Sequence, residues 1–256
     1  MKDNKNTSVI LLIIKSKVFW AMIAAIVVLT VFILYLNIGN FFKYPRGYSN
    51  LFIYANIYNY NAIWFFAPLI PGFLLLKSIG INRILDVGKT LKGMMSLASM
   101  GSLLFLLAFI IEIIFFVIID PTASAFPHNV IGMYSSALVL SPLLYVFCFM
   151  LHCMVWLFAF ALFSIAILKN TQNDFLSLLF PVLLYRTFTY IPTRIGNISL
   201  TFLYYIFPDF PFEIASFESD FIKSMFQCLC MITISLLLIY RKNVSSIGLS
   251  KKGNMP

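Results

Sequence analysis

The chain has 256 residues, 61% of them hydrophobic and only 11% charged, with 28 Phe and 13 Tyr. A soluble domain is nearer half apolar and a quarter charged, so a water-soluble globule is excluded and the surplus apolar surface must face lipid. The net charge of +9 reads as a signature of topology, because cations gather on the cytoplasmic side of membrane proteins; with no basic stripe interleaved with exposed aromatics, nucleic acid is not a partner.

Residues 7–16 hold a short apolar run over 9–14. That is too short to cross a bilayer and predicts an interfacial helix, with Thr7 or Ser8 as cap. The first span is 18–37. It is too long for the core of a signal peptide and no small-residue cleavage site follows, so it stays as an anchor. Residues 51–76 carry no charge. Their first half is rich in Tyr and Asn and suits an outer interface or the lining of something wet; the second span occupies about 62–78, kinked by Pro68 and Pro71. Residues 80–93 form the most polar interior stretch, with Asn82, Arg83, Asp86, Lys89 and Thr90. The third span is 94–119, interrupted by Glu112. A proline-containing loop leads to the fourth span within 140–168, which carries His152. Lys169 to Asp174 reads as a tight polar turn, and the fifth span follows at 175–190 with Pro181 and Arg186 inside it. The apolar piece 198–207 is too short to span and reads as an external re-entrant or interfacial helix. The sixth span is 222–240, followed by a basic tail.

The expected fold class is therefore all-α. It is a polytopic membrane protein of six spans in a single permease domain, 1–256. With the N-terminus inside, the cytoplasmic side collects Lys2, Lys5, Lys15, Lys17, Lys77, Arg83, Lys89, Lys92, Lys169, Arg241, Lys242, Lys251 and Lys252, while Asp120, Asp209, Glu213, Glu218 and Asp220 lie outside. Both termini are then cytoplasmic in a cell membrane, which agrees with an even number of spans.

Chemistry-bearing motifs are scarce. Gly88-Lys89-Thr90 ends like a phosphate-binding loop, but Arg83 stands where the first glycine is needed, and the strand such a loop follows is missing. No nucleophile elbow, His-Glu-x-x-His pair or pair of adjacent intramembrane carboxylates occurs, so the chain is read as a non-enzyme without cofactor. The cysteines Cys148, Cys153, Cys228 and Cys230 lie in apolar runs and read as small buried hydrophobes. His152 shares a helix face with Cys148. A metal site takes at least three ligands, so His152 reads as a hydrogen-bonded helix-contact residue and no metal is expected. Glu112 is either a translocation-path group or a carboxylate near the outer end of its span that reaches toward water. Its place eight residues before Asp120 favours the second.

The order of parts resembles the membrane subunits of ABC exporters, the type-two export permeases. The segment from Ile81 to Leu91 is similar to that family's acid-x-x-x-Thr cytoplasmic loop, with Asp86 and Thr90 at the matching places. Tyr204-Tyr205-Ile206-Phe207-Pro208 looks like its external helix ending in proline. Where Asp86 stands the family usually has glutamate, followed by a longer charged run. The resemblance implies a separate ATP-binding subunit docked on Asn82, Arg83, Asp86, Lys89 and Thr90, a second permease copy or paralogue, and surrounding membrane lipid. It also implies an amphipathic substrate (peptide, antibiotic or lipid-like) passing Glu112, His152 and Arg186. An ion-coupled secondary carrier, a membrane enzyme and an assembly factor are the competing classes. Reporters fused within 80–92 and at the C-terminal tail are expected on the same, cytoplasmic face of the bilayer; opposite faces would overturn this threading.

Overall fold

The computed structural model describes residues 9–41, 47–48, 51, 90–122, 141–195 and 217–252. The described part is helical: α1 (Val9–Lys15), α2 (Lys17–Phe41), α3 (Thr90–Ile119), α4 (Pro142–Thr171), α5 (Asp174–Ile195) and α6 (Phe217–Lys252). Four of these, over Lys17–Leu36, Leu91–Ile119, Val146–Thr171 and Ile222–Tyr240, are long and apolar enough to cross a membrane. They coincide with the first, third, fourth and sixth predicted spans. The predicted second span and the segment 198–207 lie outside the described residues. The predicted fifth span falls on α5, whose described apolar stretch is the shorter Asp174–Leu184.

Helix α4 is the hub, packed by α3, α5 and α6, while α2 packs on α3, and α1 packs on both α2 and α3. Its apolar window is 67% buried, against 17% for the α2 window and 28% for that of α6. A helix that is apolar all round belongs inside a bundle, and one with a single buried stripe belongs at the lipid boundary. On α6 the buried stripe is Ser224, Cys228, Met231, Ser235 and Ile239, at the three- and four-residue spacing of one helix face. Ile222, Phe226, Leu229 and Leu237 point away from it and are exposed.

Two apolar clusters divide the bundle end to end. One holds Leu34, Phe109, Phe116, Phe149, Trp156 and Cys228. The other holds Ile13, Met22, Met94, Leu97, Ile165 and Ile239. Helices α2 and α3 therefore run in one direction, and α4 and α6 in the other. Helix α5 is antiparallel to α4: the rings of Phe163 and Phe180 are 6.2 Å apart, and α4 and α5 are joined by only Gln172 and Asn173. That turn is built from side chains and one unusual backbone. Gln172 closes α4 in the left-handed region, with φ 54°, and donates its N–H to the Leu168 carbonyl at 2.8 Å. Asn173 caps α5 by accepting the Leu176 N–H on Oδ1 at 3.2 Å.

Helix α5 continues through Pro181. Proline has no N–H, so the carbonyl four residues earlier, Ser177, loses its helical donor. The hydroxyl of buried Ser164 on α4 donates to that carbonyl at 2.8 Å. A neighbouring helix thus re-satisfies a backbone group that hydrocarbon could not. Ser164→Ala is expected to cost about 1–2 kcal/mol of stability, from the orphaned carbonyl. In a Pro181→Ala background the restored N–H should remove most of that penalty. Unfolding titrations of the reconstituted protein check the pair, and equal penalties in both backgrounds would refute the link.

Candidate functional site

Beside the Ser164–Ser177 contact of α4 and α5, a group of buried polar side chains lies where α4 meets α3 and α6. His152 and Cys153 are consecutive on α4 and both buried. His152 Nε2 lies 3.1 Å from the Ser224 hydroxyl on α6. Cys153 lies within electrostatic reach of Glu112 on α3. One turn on, the Trp156 indole N–H donates to the same Ser224 oxygen at 3.0 Å. The Cys228 thiol of α6 donates to the Val155 carbonyl at 3.7 Å. Gln227 Oε1 is buried without a hydrogen-bond partner among the described residues.

Glu112 is 0% exposed. The expectation that it reaches toward water is therefore overturned. It sits on the α3 face that carries Ala108, Phe109 and Phe116, which is the face packed on α4, and the helix turns it inward by the same periodicity that turns those residues in. His152 takes the helix-contact role expected of it. The structure thus brings two of the three translocation-path candidates into one half of the bundle. The third, Arg186, lies on α5. Of the docking candidates, Asn82, Arg83, Asp86 and Lys89 fall outside the described residues, and Thr90 opens α3.

A serine hydroxyl beside an imidazole is the beginning of a nucleophile–base pair. Here Ser224 is 0% exposed, and one of its two lone pairs is taken by an indole that can only donate. The arrangement does what a clasp does: it fixes the register of α6 on α4. Among the described residues no group of three or more His, Cys, Asp or Glu side chains could hold a metal ion.

A second polar contact closes the other end of the same helix pair. Lys169, expected in an aqueous turn, is buried and donates from Nζ to the Ile239 carbonyl at 3.0 Å, while Asn170 Nδ2 donates to the Leu238 carbonyl at 3.1 Å. Sequence reasoning missed Ser224, Trp156 and the placement of Lys169. A signal for the first two was present. Tryptophan in membrane helices belongs at the interfaces, so one in the middle of a span asks for a buried acceptor, and Ser224 opens a stripe with Cys228 and Ser235 along the sixth span.

The chain matches no protein-family profile, no curated protein and no solved structure. Ser224→Ala removes the acceptor of Trp156 and the partner of His152, and is expected to destabilise the bundle by about 1–3 kcal/mol. Trp156→Phe should then cost less in the Ser224→Ala background than in the native chain; additive costs would show that the two side chains are not coupled.

Proposed function

We propose that this chain is the membrane-spanning permease subunit of an ABC-type exporter in the cell membrane, driven by a separate ATP-binding subunit and moving an amphipathic peptide, antibiotic or lipid-like substrate. The observation that carries the reading is the position of Thr90. The last residues of the polar segment 80–93 are the first turn of α3, which continues unbroken for 30 residues, about 45 Å at the α-helical rise. A partner that moves this segment moves a rod that packs on α1, α2 and α4. Bistable packing then converts a small displacement into a rigid-body change.

The helix directions support the reading of six crossings. Helices α2 and α3 run the same way, and the reading gives the return between them to the apolar stretch 62–78, which lies outside the described residues. Helix α5 leaves the end where α4 finishes, and α6 starts from the opposite end, so α5 is read as the fifth crossing; its 22 residues reach about 33 Å, enough for the hydrocarbon thickness. In this reading the segment 80–89, the turn at Gln172 and both termini share one end, taken as the cytoplasmic one, where Asn82, Arg83, Asp86, Lys89 and Thr90 would meet the ATPase. Glu112, His152 and Arg186 are the translocation-path residues of this reading, which also includes a second permease copy.

A second reading, an ion-coupled carrier, draws on the inward placement of Glu112 and the burial of His152 around α4. Gentle detergent extraction separates the two. A stoichiometric ATPase is expected to copurify with the tagged chain, and Asp86→Arg is expected to abolish that association while membrane insertion persists. Normal association in the variant would sink the docking role. A chain that transports without any ATPase would favour the carrier.

A further inference from the structure

We draw no further inference here: the strongest candidate, the buried side-chain cluster of Glu112, His152, Cys153 and Ser224 where α4 meets α3 and α6, belongs to the site already described.

Discussion

In hydrocarbon every backbone donor and acceptor must find its partner inside the protein, and the bundle is arranged around that demand. The contact that shows it best is the Ser164 hydroxyl on the Ser177 carbonyl. Pro181 frees that carbonyl, and α4 supplies the replacement donor. A proline inside a span is tolerated here because a hydroxyl on the hub helix lies opposite the defect. The Lys169 and Asn170 side chains on the carbonyls of Ile239 and Leu238 extend the pattern. These two α6 carbonyls lie where the helix passes from its apolar span into its basic extension. A lysine ammonium desolvated at this depth is costly, and its place at the C-terminal end of α4, where the helix dipole favours a cation, offsets part of that cost.

Hydrophobic burial cannot drive helices together in lipid as it does in water, because the tails are as apolar as leucine. Register must come from packing and from a few polar contacts. Helix α4 has both. Its Ala159, Ala161 and Ala166 are fully buried and let neighbouring helices come close, while His152, Trp156, Ser164, Lys169 and Asn170 point hydrogen bonds at α5 and α6. Along α6 the partners run from Ser224 to Ile239, so the α4–α6 seam is pinned at both ends. No comparable pair of pins joins α2 to its neighbours among the described hydrogen bonds. Helix α2, with 17% of its window buried, is held mainly by apolar contact with α3.

The apolar elements were legible because hydropathy reports directly on hydrocarbon contact. The predicted spans 18–37, 94–119, 140–168 and 222–240 fall on α2, α3, α4 and α6. The ends were less legible, because a helix need not stop where the bilayer does. Once in water the backbone goes on bonding to itself, so α3 starts at Thr90 and α6 runs to Lys252. Glu112 was misplaced for a related reason. Its distance from Asp120 describes depth, whereas the side chain's fate depends on the face, and the face is read from Ala108, Phe109 and Phe116. The Ser224 contacts join residues about seventy positions apart; no local pattern encodes such a pairing, and only the stripe that carries it was visible.

The two ends of α3 are held differently, which bears on how a displacement would travel. Its C-terminal end is tied down. Asp120 accepts the N–H of Gly47 at 3.0 Å and the N–H of Thr122 at 3.0 Å, and Tyr48 donates its N–H to the Thr122 carbonyl at 3.3 Å. Gly47 has φ 115°, a conformation open to glycine and strained for residues with a Cβ, and in it the amide meets the carboxylate. The segment after α2 and the end of α3 therefore form one knot. At the other end Thr90 follows directly on the polar segment, and the neighbours there, α1, the start of α2 and the last turns of α4, are joined to α3 by apolar side chains such as Ile13, Met22, Met94, Leu97 and Ile165. Apolar contacts slide more readily than charge-assisted hydrogen bonds break. A force applied at Thr90 would swing α3 about its Asp120 end. Glu112, two turns from that pivot, would move least, and the α1 junction would move most.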